Sequence, residues 1–294
     1  MSDAAARWLS GWDCHVHVFD AAAPVHAGSH YLPQTRDLAE IEAIAAAQGV
    51  GRLVLVQPSV YGTDHRVMLR ALCAEPGRHR GVAVLAADVT DAELDTLHAA
   101  GVRGVRINHV SPVGARGDAA ALLRALAPRL RARGWHVQWY VPPEQLPQLP
   151  ALQDEAGLPF VLDHLAGMGL GVADDKSTCW SALQALAAGG AWVKLSGWYR
   201  LQAARPYDAL HTRIARVAAL FGTRCVWGSD WPHTGGSGVR ATSSQEIEPF
   251  RQVDAGATLN LLADWAPTPE LRHRILVTNP AAVFGFDPHP TTAA

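Results

Sequence analysis

Cysteine is scarce, and the four present, Cys14, Cys73, Cys179 and Cys225, lie far apart with no CxxC pair. That excludes a disulfide framework and a zinc knuckle, and leaves reduced, mostly buried thiols. An excess of one charge is missing too: 25 basic against 27 acidic residues give a net charge of −2, with no long like-charge run. A nucleic-acid groove or a contact with an anionic membrane would need such an excess, so neither partner is expected. No run of about 18 apolar residues occurs that could span a bilayer. The segment before Gly11 is too short and too polar for a secretory leader, so a cytoplasmic location is expected. Linkers, low-complexity stretches and helical repeats are absent. No GxGxxG follows the first strand candidate, which leaves a dinucleotide site unsupported.

What the chain does have is alternation. Short β-rich runs recur at 14–19, 52–59, 81–87, 104–110, 136–141, 160–167, 192–197 and 225–230. Between them lie segments with helical apolar spacing, among them 37–49, 64–77, 91–101 and 120–134, several opening on Asp or Thr and closing on Gly. Strand–helix alternation implies parallel pairing through right-handed crossovers. Eight such units in 294 residues predict one domain over 1–294, a distorted (β/α)8 barrel with extra C-terminal helices. A doubly wound open sheet is the alternative. In a closed barrel the functional groups belong at the C-terminal ends of the strands.

The polar residues fall there. "GWDCHVHVFD" puts His15 and His17 at the end of the first strand, two residues apart and so on one face, with Asp13 expected beside them. Arg106 and Asn108 share a face late in the fourth strand, and Gln138 and Tyr140 in the fifth. His164 ends the sixth, Ser196 the seventh and Asp230 the eighth. Singly, a histidine at a strand end is as often structural as functional, and an Asp before a turn is more often a cap. The combination is more specific, because two inward imidazoles are costly to bury without partners. His136 sits at the wrong end of its strand, His109 has the wrong parity, and Lys194, sharing a face with Ser196, is read as half of an internal ion pair.

The blocks "DCHVHVF", "LDHLAG", "KLSG", "WGSDWPH" and "NPAAVFGF", in that order over almost the whole chain, resemble the amidohydrolase superfamily. More narrowly, they resemble its branch of 2-pyrone-4,6-dicarboxylate lactonase and sugar lactonases. Two-metal members add an acidic or lysine ligand on strand four and a histidine on strand five, and this chain lacks both. The resemblance implies a lactonase that requires no metal. If a single zinc or other divalent ion does bind, its ligands are expected to be His15, His17, His164 and Asp230.

The function expected is opening of a small carboxylated lactone, such as 2-pyrone-4,6-dicarboxylate or a sugar-acid lactone. Asp230 would act as general base for water, His164 would position it, and His15 and His17 would stabilise the oxyanion. Arg106 suits a substrate carboxylate, since a guanidinium grips one with two bonds. Arg200, Tyr31, Ser59, Tyr140 and Asn108 are the other expected substrate contacts. The resemblance leads one to expect a second arginine anchor directly after the fourth strand; this chain has none there, and Arg116 follows only later. The alternatives are a zinc-dependent hydrolase or decarboxylase of the same superfamily, and a non-enzymatic carboxylate-binding protein. A monomer or homodimer is expected.

Overall fold

Eight parallel strands follow one another around a single sheet in the order of the sequence: β1 (Gly11–Val16), β2 (Val50–Val56), β3 (Arg80–Ala83), β4 (Val102–Asn108), β5 (His136–Tyr140), β6 (Phe160–Leu162), β7 (Trp192–Ser196) and β8 (Cys225–Gly228). The structure, a computed structural model, describes residues 10–29, 31–111, 113, 117–173, 177–235 and 246–285. Helices α1 (Leu38–Ala46), α2 (Arg66–Ala74), α3 (Asp91–Ala99), α4 (Ala119–Ala132), α5 (Leu149–Ala156), α6 (Ser177–Ala188) and α7 (His211–Phe221) link successive strands. After β8 come α8 (Ala255–Trp265), α9 (Pro269–His273) and α10 (Asn279–Phe284). This is the (β/α)8 barrel with extra C-terminal helices that the alternation predicts.

Local chemistry accounts for the helix starts. Asp37 accepts from the Glu40 amide, Thr90 and Glu93 form a reciprocal capping box, and Asp118 accepts from the Ala120 and Ala121 amides. Each helix then turns an apolar stripe inward, as with Leu123, Leu126, Ala127 and Leu130 of α4. Their three- and four-residue spacing keeps them on one face, and each fully buried leucine stabilises the fold by roughly 2 kcal/mol.

Closure of the barrel bears directly on function. The last strand meets the first through a bridge between Val16 and Trp231. The Asp230 amide donates to the His15 carbonyl, and the His17 amide donates to the Trp231 carbonyl, both at 2.9 Å. Residues nearly the whole chain apart are thus joined by backbone at the rim.

Inside the barrel, Trp12, Cys14, Val54, Val56, Val82 and Val226 pack with Phe284 of α10. His136, the first residue of β5, lies edge-on to that phenyl ring, so Phe284 plugs the N-terminal end. His136 is therefore far from the rim, as its position in the strand predicts. His109 turns outward to Gln145, in keeping with its parity.

Two details depart from regular alternation. The β1–β2 register shifts between Asp13 and Val16. Asp13 does not line up with the imidazoles: its carboxylate accepts from the Ser229 and His15 amides, and burial pushes it up to about 7. The strands also stop earlier than the apolar runs suggest. His17, His164 and Asp230 stand just past the ends of β1, β6 and β8, on backbone free to aim them. No helix among the described residues is long and apolar enough to cross a membrane.

Candidate active site

His15, His17, His164 and Asp230 come together at the C-terminal rim, all buried. His15 Nε2 and His17 Nε2 each lie 3.6 Å from Asp230 Oδ1, and His164 Nε2 lies 3.8 Å from Asp230 Oδ2. The His15 ring centroid is 5.0 Å from that of His17 and 4.7 Å from that of His164. His164 and Asp230 have φ of 49° and 62°, a left-handed backbone that is uncommon for residues other than glycine and that collects at functional sites. Gly197 makes room for this arrangement. Its own φ is 66°, and a Cβ there would fall 2.5 Å from His164 Nδ1.

Asp230 is held on one side and left open on the other. Its Oδ2 accepts from the Tyr199 hydroxyl at 2.6 Å and from Arg200 Nε at 2.5 Å. Its Oδ1 is buried with no hydrogen-bond partner among the described residues, as are His15 Nε2 and His164 Nε2. Burial alone would raise the Asp230 pKa. The Arg200 guanidinium and the neighbouring imidazoles outweigh it and hold the carboxyl well below its usual range. Burial lowers His164 to about 4, against the pull of Asp230 and Asp163. The site therefore pairs a carboxylate with neutral imidazoles at His15 and His164.

The second carboxylate, Asp163, went unnoticed in the sequence. It is fully buried behind the rim, with Oδ2 accepting from Arg106 Nε and Gln138 Nε2, both at 3.0 Å. Its Oδ1 lies 3.2 Å from His15 Nδ1 and 3.4 Å from Lys194 Nζ. The internal ion pair read for Lys194 is thus present, with Asp163 as partner. Burial would raise Asp163, but Lys194, His15 and Arg106 together keep it well below the usual carboxylate value. A charged residue beside a strand-end histidine was the available signal. Tyr199, adjacent to Arg200, was also missed.

All six expected substrate contacts line one mouth above this cluster: Tyr31, Ser59, Arg106, Asn108, Tyr140 and Arg200. The enclosed space in the mouth is small, about 70 Å³, and the rest opens to solvent. Several of the six already have work within the protein. Arg200 binds Asp230, the Gly235 carbonyl and Thr234 Oγ1. Asn108 donates to Ser59 Oγ and accepts from the Val110 and Ser111 amides, shaping the loop after β4. Arg106 uses Nε on Asp163 while its guanidinium lies 5.3 Å from the Tyr140 ring centroid. Ser111, Thr234 and Glu248 also line the mouth and were not anticipated. Arg116, considered as a further anchor, lies outside the described residues.

The donor set suits one metal ion. His15, His17 and Asp230 can offer ligand atoms within 4.8 Å of one another, as can His15, Asp163 and His164, and the three orphaned atoms belong to these groups. His17 is prepared for the role. Its Nδ1 lies 2.7 Å from the Val56 carbonyl, which can only accept, so a neutral ring presents its Nε2 lone pair to the site.

A parallel eight-stranded barrel carrying histidines and aspartates at its strand ends defines a class of barrel hydrolases. The family model described as amidohydrolase matches residues 12–286. The chain belongs to the amidohydrolase family. It is 32% identical over 278 residues to a 4-sulfomuconolactone hydrolase of Rhizobium radiobacter, covering 93% of this chain and 89% of the relative. It is 30% identical over 284 residues to a 2-pyrone-4,6-dicarboxylate hydrolase of Comamonas testosteroni, covering 92% and 89%. A crystal structure of a candidate 2-pyrone-4,6-dicarboxylic acid hydrolase from Pseudomonas putida superimposes with a TM-score of 0.78 at 30% identity, over 95% of this chain and 98% of that one.

Proposed function

We propose that this protein hydrolyses a small lactone bearing a carboxylate, with Asp230 as general base. One observation carries the reading. Oδ2 of Asp230 is fixed by Tyr199 and Arg200, while Oδ1 is buried beside His15 and His17 and has no hydrogen-bond partner among the described residues. A water on Oδ1 would find a base already oriented. It attacks the lactone carbonyl and gives up a proton to Asp230. The tetrahedral oxyanion is stabilised by an imidazole N–H at His15, since the hydrogen of a neutral His17 is held by the Val56 carbonyl, and the ring C–O bond then breaks. The leaving ring oxygen takes the proton, so the product is an open-chain hydroxy acid, or its keto form if that oxygen was enolic. A lactone carbonyl is more reactive than an amide, which suits a site built from hydrogen-bond donors. The names of the two curated relatives, both lactone hydrolases, support this substrate class.

Arg106 anchors the substrate carboxylate from the mouth. Arg200 we assign chiefly to Asp230. A one-metal hydrolase is the second reading, favoured by the close spacing of His15, His17 and Asp230. When bound, the ion would polarise the carbonyl or the attacking water. The test is a hydrolysis screen over pyrone carboxylates, muconolactones and sugar-acid lactones, with Asp230→Asn as control, run before and after chelation. Turnover that survives metal stripping and vanishes in Asp230→Asn supports the first reading. Activity restored only by added zinc supports the second.

A further inference from the structure

Lys194 lies wholly buried beneath the rim and has no part in the chemistry above. Its Nζ is 2.7 Å from Gln138 Oε1, 3.3 Å from His15 Nδ1 and 3.4 Å from Asp163 Oδ1. An ammonium has three N–H donors and no lone pair, so Nζ cannot accept from His15. The Gln138 amide cannot be turned round, because its Nε2 donates to Asp163 Oδ2 at 3.0 Å. His15 Nδ1 has two neighbours, Asp163 Oδ1 at 3.2 Å and Lys194 Nζ at 3.3 Å; Asp163 Oδ1 takes no hydrogen bond from any described residue, so the contact with Nζ decides and Nδ1 is the bare nitrogen. In a neutral ring the hydrogen then sits on Nε2, the atom 3.6 Å from Asp230 Oδ1.

We infer that Lys194 is a positioning residue: by donating to Nδ1 it fixes His15 as the Nε2–H tautomer. His15 thereby faces the site as a hydrogen-bond donor and, until Nε2 loses that hydrogen, is withdrawn from the set of lone-pair metal ligands, which counts against the one-metal reading. His17 next to it has the opposite form, because the Val56 carbonyl takes its Nδ1 hydrogen. Two imidazoles from one sequence motif, with ring centroids 5.0 Å apart, are set to complementary roles by what lies behind them, a cation for one and a carbonyl for the other. Remove the cation, and Asp163 Oδ1, 3.2 Å from His15 Nδ1, becomes the partner. The Nδ1 hydrogen returns, and Nε2 offers its lone pair.

Only the effect on turnover depends on the lactonase reading, so the test uses other signals. Histidine-selective 15N labelling, with His15 assigned through His15→Asn, reports which ring nitrogen carries the hydrogen in the metal-free protein. The wild type is expected to show Nε2–H at His15 and Nδ1–H at His17, and Lys194→Met to switch His15 to Nδ1–H. Calorimetric titration with Zn2+ on stripped protein should then show binding at least tenfold tighter in Lys194→Met than in the wild type, the scale on which outer partners tune metal sites. Wild-type His15 found as Nδ1–H or as imidazolium overturns the inference, and that spectrum is decisive even if Lys194→Met does not fold. Unchanged zinc affinity in a folded Lys194→Met also overturns it. Absence of lactone turnover in the wild type would count against the proposed function and leave the tautomer result standing.

Discussion

Replacing Gly197 with alanine should disable the site while leaving the barrel folded. The new Cβ would sit 2.5 Å from His164 Nδ1, 2.8 Å from Cγ and 3.1 Å from Cβ. Ordinary contact needs about 3.4 Å or more, so the imidazole must retreat by roughly 0.9 Å. It cannot do so cheaply, because its Nδ1 is 3.0 Å from Ser196 Oγ and its ring is packed edge-on against Tyr140. Alanine at the φ of 66° also costs about 1–2 kcal/mol of left-handed strain. With some packing strain added, the total is roughly 2–4 kcal/mol. At about 2 °C per kcal/mol for a chain of this size, Tm should fall by roughly 4–8 °C. Catalysis should suffer more, because a displacement near 1 Å costs about 100-fold in rate. Calorimetry and steady-state kinetics on one preparation separate the two effects. A variant with parental kcat and a lowered Tm would show that the place of His164 does not matter. Parental values for both would refute the packing argument itself.

Tyr199→Phe removes one of the two donors to Asp230 Oδ2. A charge-assisted hydrogen bond is worth about 1.5–3 kcal/mol, so kcat should fall by roughly 10- to 100-fold with KM little changed. Arg106→Lys keeps a charge but loses the fork that grips a carboxylate. KM should rise about tenfold for carboxylated lactones, but not for neutral ones, in a paired substrate comparison. Stability should fall in acid through His136, whose folded pKa is lowered by burial, with Lys194 adding to the effect, to about 3, against 6.5 when unfolded. The unfolded chain then binds the proton first. The loss begins as pH drops below 6.5 and continues to about 3, at roughly 1.4 kcal/mol per pH unit. Denaturant titrations between pH 7 and 4 should show a slope one proton shallower in His136→Asn. An unchanged slope would contradict the assignment.

The barrel was readable because each strand is a short apolar run between capped helices, and strand ends in a closed barrel must share a rim. That logic brought His15, His17, His164 and Asp230 together across 215 residues of chain and placed all six expected contacts around one mouth. Asp163 escaped because strict alternation puts it opposite His164. β6 ends at Leu162, and the left-handed turn at His164 lets both neighbours reach the site. Tyr199 escaped for a related reason, since it follows β7 on a tight turn together with Arg200, and both converge on Asp230. Asp13 was misjudged because the register shift in β1 breaks the two-residue rule. Nor could spacing alone reveal that Arg200 faces Asp230 more than the mouth.

The central claim is that water aimed by Asp230 attacks a lactone carbonyl. Single-turnover hydrolysis of 2-pyrone-4,6-dicarboxylate, or whichever lactone the screen selects, in 18O-labelled water tests it directly. The account predicts one 18O in the newly formed carboxylate and a rate at least about 100-fold lower for Asp230→Asn, as expected when a general base is lost. Label in the released hydroxyl or keto oxygen before any exchange, or an Asp230→Asn rate equal to that of the parent, would contradict it.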